Sequence, residues 1–225
     1  MANPNIENLE QVAAILAKVP EKFVFTGGAT IVLYVNSAIA TELRPTKDVD
    51  CVVEIFTRAE YYQLSNKLRA IGLSECTEQN APICRWQYEE KIIDIMPCGD
   101  RVLGFSNCWY LEGIKESITY TLPSGKNISI FSPLYILASK VEAFRGRGKN
   151  FYHSKDIEDI TVLLNGCAEL SEAFNDSSGE IRSYLQQWFK ANLEDLKDAA
   201  YNFSPTSNPR CDSLVIKLIE NIAQS

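Results

Sequence analysis

One hexapeptide constrains this chain more than any other, Asp48-Val49-Asp50-Cys51-Val52-Val53. Two acids open an otherwise apolar run. In a strand, successive side chains point to opposite faces, so Asp48 and Asp50 project the same way and Val49 the other. An earlier apolar run, Phe23-Val24-Phe25, leads into the pair Gly27-Gly28, and a later one, Ile92-Ile93-Asp94-Ile95, carries a third aspartate. If the last run lies beside the first, three carboxylates converge on one patch. Such a patch attracts a divalent cation, and a cation held that way points to phosphate chemistry.

The rest of the chain supports a sheet in front and helices behind. Helical spacing of Ile6, Leu9, Val12, Ala13 and Leu16 predicts a helix over 6–18. Phe23–Phe25 reads as a buried strand, ended by Gly27-Gly28, with a helix over roughly 29–40. A loop at Arg44-Pro45-Thr46-Lys47 precedes the Asp48–Glu54 strand, since proline resists a helix interior. A helix follows near 58–71, closed by Gly72. Residues 83–88 and 91–96 pair as a hairpin around Glu89-Glu90, and 118–122 with 127–131 around Pro123-Ser124-Gly125-Lys126. At Ser132-Pro133 the period changes. That pair is an N-cap followed by proline at the first helical position. Leu134, Leu137, Val141 and Phe144 then follow at helical spacing. Arg145-Gly146-Arg147-Gly148-Lys149 is expected to break this helix, and Ser154 to cap the next, which carries Ile157, Ile160 and Leu164. Everything after 168 reads helical apart from a loop at 202–210. The expected fold class is α/β (α+β): a mixed β-sheet core with flanking helices over 1–131, then a C-terminal helical bundle over 132–225.

Composition removes several function classes. No apolar stretch is long enough to cross a membrane, and Met1-Ala2-Asn3-Pro4-Asn5 has neither the basic nor the apolar region of a signal peptide. Seven cysteines at irregular spacing, without C-x-x-C, read as reduced thiols of a cytoplasmic protein. With one histidine, His153, a zinc site is not expected. A net charge of −7 argues against nonspecific coating of nucleic acid. A local basic cluster, Lys140, Arg145, Arg147, Lys149 and Lys155, leaves room for gripping one nucleic-acid end.

Transfer of a nucleotide from a nucleoside triphosphate fits these residues. A hydroxyl attacks the α-phosphorus and pyrophosphate leaves. Two divalent ions assist, one lowering the hydroxyl pKa and one neutralising the leaving group. Asp48 and Asp50 suit the bridging role and Asp94 the third carboxylate. Gly27-Gly28 lets backbone approach phosphates, and the following helix would offer its amides.

Thr26-Gly27-Gly28-Ala29-Thr30, Arg44-Pro45-Thr46-Lys47-Asp48-Val49-Asp50 and Ile92-Ile93-Asp94-Ile95-Met96-Pro97 resemble the motifs of the nucleotidyltransferase superfamily, and within it the AbiEii/AbiGii toxin-like branch. Lys140-Val141-Glu142-Ala143-Phe144-Arg145 and Lys155-Asp156-Ile157-Glu158-Asp159-Ile160 resemble that branch's C-terminal elements. The resemblance covers residues 26–160. It implies metal-dependent nucleotidyl transfer with Mg2+ or Mn2+ on Asp48, Asp50 and Asp94. It further implies that Lys140 grips the triphosphate and that Asp156 is needed for activity. Gly27, Gly28, Thr30, Arg44 and Lys140 are the expected NTP-binding residues. One departure is that Ala29, not serine or threonine, follows the glycine pair, with Thr30 one position later.

Each assignment has a plainer counterpart. A D-x-D is common at acidic strand edges. Lys140 is either a snorkelling surface residue or one aimed into a cleft. Asp156 could serve only the helix dipole, and Asp159, one turn on, could take its role. Arg44 binds phosphate or fixes the loop before Asp48. Residues 145–149 hold acceptor phosphates or are a solvated loop. Trp188 and Phe189 read as helical core. The toxin-like branch implies a tRNA or other cellular acceptor and a cognate antitoxin. The alternatives are an aminoglycoside-type small-molecule nucleotidyltransferase, suited to the acidic charge, and a non-catalytic nucleotide-binding module of the same fold.

Overall fold

The computed structural model describes residues 3–147, 150–206 and 211–224. Helix α1 (Pro4–Leu16) starts on an Asn3 cap with proline in its first turn and buries Leu9, Val12, Ala13 and Leu16. Strand β1 (Val24–Thr26) leads into a 3-10 turn (Gly28–Leu33) and the short helix α2 (Ser37–Ala40). Then come β2 (Asp48–Val53), α3 (Arg58–Ala70), β3 (Ser74–Glu75), β4 (Arg85–Tyr88) and β5 (Lys91–Pro97). Helices α4 (Asp100–Leu103) and α5 (Tyr110–Lys115) precede the hairpin β6 (Ile118–Thr121) and β7 (Asn127–Ile130). The chain continues through α6 (Pro133–Arg147), α7 (Lys155–Gly166), α8 (Leu170–Asp176), α9 (Gly179–Ala191), α10 (Leu193–Asn202) and α11 (Cys211–Gln224). The mixed α/β architecture expected from the sequence is present.

Two compact units share the chain, Met1–Thr30 with Pro45–Ser132, and Ile31–Arg44 with Pro133–Ser225. The strands of the first unit form a seven-stranded mixed sheet in the order β3-β4-β5-β2-β1-β7-β6. β2 runs parallel to β5 and antiparallel to β1, and β4 runs antiparallel to β5. The apolar members of the central strands, Val49, Cys51, Val53, Ile93 and Ile95, are buried on the face opposite the acids. This burial is the main hydrophobic reason for the strand order. In the second unit α6 packs on α7, α8 and α9, and α11 on α7, α9 and α10. Its core includes Leu137, Val141, Phe144, Ile157, Ile160, Leu185, Phe189 and Ile219. Trp188 stacks on Phe151 with centroids 6.3 Å apart and meets Phe144 edge-on, so this aromatic cluster is packing material.

Two local expectations are corrected. The helix anticipated over 29–40 is instead a 3-10 turn and one separate short helix. Asn36 accounts for the break, because its Oδ1 accepts from the amides of Ala38 and Ile39 and starts a new helix there. The helix expected to end at 145 continues to Arg147, while Gly148 and Lys149 lie outside the described residues. The loop anticipated over 202–210 is described only to Thr206.

Candidate active site

Four strands of the first unit each place one residue in a single cross-strand row. Arg85 of β4 is the register partner of Asp94 on β5, Asp94 of Asp50 on β2, and Asp50 of Thr26 on β1. Direct partners share a sheet face. Asp48, two residues before Asp50, shares it too. The alternation that the sequence implies thus brings Asp48, Asp50 and Asp94 to one face of adjacent parallel strands. Asp94 is 6% exposed, and Asp48 and Asp50 are half-buried.

Gly27 follows this row with φ +78°. A Cβ added there would lie 1.8 Å from Asp50 Oδ2, so the Asp50 carboxylate rests directly on the Gly27 backbone. Both the left-handed backbone and the close approach require glycine. Gly27→Ala is expected to strain the backbone by about 1–2 kcal/mol and to push the Asp50 carboxylate off its position. Mn2+ affinity should fall at least as steeply as stability. A variant that melts normally and keeps its metal affinity would contradict this role. Gly28 opens the 3-10 turn. Thr30, expected to face phosphate, is fully buried, and its hydroxyl donates to the Gly27 carbonyl oxygen at 2.9 Å. It therefore holds the turn that shapes Gly27. Thr26 is 3% exposed, and its hydroxyl has no hydrogen-bond partner among the described residues.

Arg85 was not anticipated. Its Nε donates to Asp94 Oδ1 at 2.8 Å, and its Nη2 donates to Asp94 Oδ2 at 2.7 Å and to Asp48 Oδ2 at 2.9 Å. Hydrogen bonding to Asp94 raises the Arg85 pKa against the opposing effect of burial, with the charges of Asp94 and Asp48 adding to it. The hairpin expectation contained the signal for this contact. Tyr88 opposite Lys91 places Arg85 opposite Asp94. Among the described residues, no three acidic, imidazole or thiol side chains converge tightly enough to hold an ion as they stand. The donor set nevertheless suits a divalent cation, because its atoms are hard carboxylate oxygens and the cation of Arg85 already spans two of the groups.

The loop before Asp48 is pinned from α1. Asn5, 1% exposed, accepts from the Thr46 amide at 2.8 Å, and the Asn8 side chain donates to the Thr46 carbonyl oxygen. Nothing in the sequence pattern singled out these asparagines, because side-chain contacts to a distant loop leave no periodic trace.

Arg44, Lys140 and Asp156 belong to the second unit and form an ion network there. Lys140, only 8% exposed, lies 2.6 Å from Asp159 Oδ2 and 3.8 Å from Asp156 Oδ1. Arg44 binds Glu158 and Asp159, each at 2.9 Å. Burial alone would lower the Arg44 pKa, but Asp159 and Glu158 reverse it, so the net shift is upward. Arg147 contacts both oxygens of Asp156 at 3.1–3.2 Å. Lys140 is thus a buried, paired cation, and Asp156 and Asp159 both serve it.

Burial, followed by Asp50 and Asp94, pushes the Cys51 thiol well above its ordinary range, and the Cys84 thiol up to about 12. At pH 7.5 both should resist iodoacetamide in the native protein, because the thiolate is the reactive form. Among the described cysteine side chains, the exposed Cys108 should be alkylated first. Peptide mapping checks this, and native labelling of Cys51 would contradict the site's burial.

The chain is similar in structure to an antigenic nucleotidyltransferase-like protein from Paracoccidioides brasiliensis, at 18% identity and a TM-score of 0.52, over 89% of this chain and 94% of that one. The antibiotic-resistance factor ANT(2'')-Ia in solution aligns at 13% identity and a TM-score of 0.49, over 90% of this chain and 92% of that one. No protein-family model matches the chain, and no curated protein matches it in sequence. The likeness to the first of these structures shows a nucleotidyltransferase-like fold. No helix among the described residues is long and apolar enough to cross a membrane.

Proposed function

We propose that this chain is a metal-dependent nucleotidyltransferase that moves a nucleoside monophosphate from an NTP to an acceptor hydroxyl and releases pyrophosphate. The observation that carries the reading is the placement of Asp48, Asp50 and Asp94 on one face of adjacent strands, beside Gly27, in a nucleotidyltransferase-like fold. These three carboxylates would hold Mg2+ or Mn2+. The chemistry supplied by a bound divalent ion is neutralisation of phosphate charge and a lowered hydroxyl pKa. Gly27 keeps the Asp50 carboxylate in place and, with Gly28, leaves backbone amides open to phosphate oxygens. Asn5 and Asn8 hold the loop that delivers Asp48. The motif resemblance supports nucleotide-phosphate contacts from Lys140 and Arg44; in the second unit Lys140 pairs with Asp159 and Asp156, and Arg44 with Glu158 and Asp159.

Within this class the motif resemblance favours a toxin-like enzyme of the cytoplasm acting on tRNA or another cellular target and restrained by a cognate antitoxin. An aminoglycoside-type acceptor is the alternative that the acidic charge supports. A non-catalytic nucleotide-binding module is favoured by one observation, the guanidinium of Arg85 across Asp48 and Asp94. The test is transfer of label from four α-labelled NTPs, with Mg2+ or Mn2+, into total RNA, cellular protein and an aminoglycoside panel. Label in an RNA band supports the toxin-like reading. Label confined to a small molecule moves the enzyme to the antibiotic-modifying class. NTP binding without label in any acceptor supports the module.

A further inference from the structure

Arg85 engages three of the four carboxylate oxygens of Asp94 and Asp48 with one guanidinium. These are the hard oxygens that a divalent ion would need, and two cations cannot share them at close range. We propose that Arg85 competes with the divalent ion for Asp94 and Asp48, and must release them for the ion to be held; this rests on the metal-dependent reading above.

The arrangement explains why the pairing exists. Asp94 is 6% exposed, and a buried carboxylate without a counter-charge is costly. Arg85 neutralises it when no ion does. Release is open to Arg85 because its side chain keeps 22% of its surface exposed and sits on β4, one strand in from the sheet edge. A second observation points to a ligand on the same face. At the other end of the row the Thr26 hydroxyl, buried beside Asp50, has no partner among the described residues. An ion at Asp50, or a water carried with it, would satisfy that hydroxyl. Arg85 is thus a positioning residue. It keeps the acids from repelling one another when divalent metal is scarce and sets the metal concentration at which the centre fills.

The test is Mn2+ binding to the purified full chain, read from the electron paramagnetic resonance of free Mn2+, with melting temperature as a second readout. Arg85→Ala should bind Mn2+ at least tenfold more tightly than the unmodified chain. Arg85→Lys, which keeps the charge, should stay close to it. Without metal Arg85→Ala should melt lower, and saturating Mn2+ should raise its melting temperature more than that of the unmodified chain. If Arg85→Ala does not fold, Arg85→Gln retains hydrogen-bond donors without charge and should also bind more tightly. Equal or weaker Mn2+ binding by folded Arg85 variants, while the unmodified chain binds Mn2+ and Asp50→Asn does not, would overturn the competition alone. No Mn2+ uptake by the unmodified chain or by any Arg85 variant would overturn the metal reading and the competition with it.

Discussion

Asp50→Asn is expected to lower nucleotidyl transfer by about three orders of magnitude or more, equivalent to ~4 kcal/mol of transition-state stabilisation. Asp50 stands in the middle of the cross-strand row, opposite Asp94 and Thr26, with its carboxylate against Gly27. An amide preserves the volume, so the sheet should keep its packing and circular dichroism its form. The charge is what disappears, and a neutral carbonyl is a much weaker ligand for a divalent ion than a carboxylate. Steady-state transfer rates with Mn2+ varied over a wide range check this. A variant with full rate at ordinary Mn2+ would remove Asp50 from the chemistry.

Lys140→Ala should cost about 3 kcal/mol of stability or more, because it leaves Asp156 and Asp159 buried with less counter-charge. From the sequence alone, this substitution is expected to weaken NTP affinity more than folding. The burial of Lys140 alters that balance, since folding now carries a large share of the effect. Arg147 and Arg44 remain on the same carboxylates and limit the loss. Chemical denaturation measures it directly. Lys140→Met, which keeps the packing of the stem, should recover part of the stability and none of any phosphate contact. A Lys140→Ala variant as stable as the parent would show that the network contributes little.

Much of the first unit was legible because strand periodicity is a strong local signal. The alternation at 48–53 put Asp48 and Asp50 on one face, and the two hairpins fell near their expected positions. The pairing of Asp50 with Asp94 needed the strand order, which no single run reports. Arg85 was legible in principle from the register of the second hairpin, yet an arginine in a strand looks like ordinary surface until its partner is named. The helix expected over 29–40 does not form in one piece, because the Asn36 cap restarts the backbone three residues after Leu33. The ion network of the second unit was only half legible. Helical spacing brings Asp156 and Asp159 close together, and both lie beside Lys140, a partner that the spacing alone does not name.

The acidic face of the sheet is proposed to transfer nucleotides. The most direct measurement is pyrophosphate release from each of the four NTPs by the purified chain, with Mn2+ and a total cell extract as acceptor source, beside Asp48→Asn and Asp50→Asn. Metal-dependent release is expected from the unmodified chain with at least one NTP, and none above background from either variant. Release that persists unchanged in both variants, or no release with any NTP, would contradict that proposal.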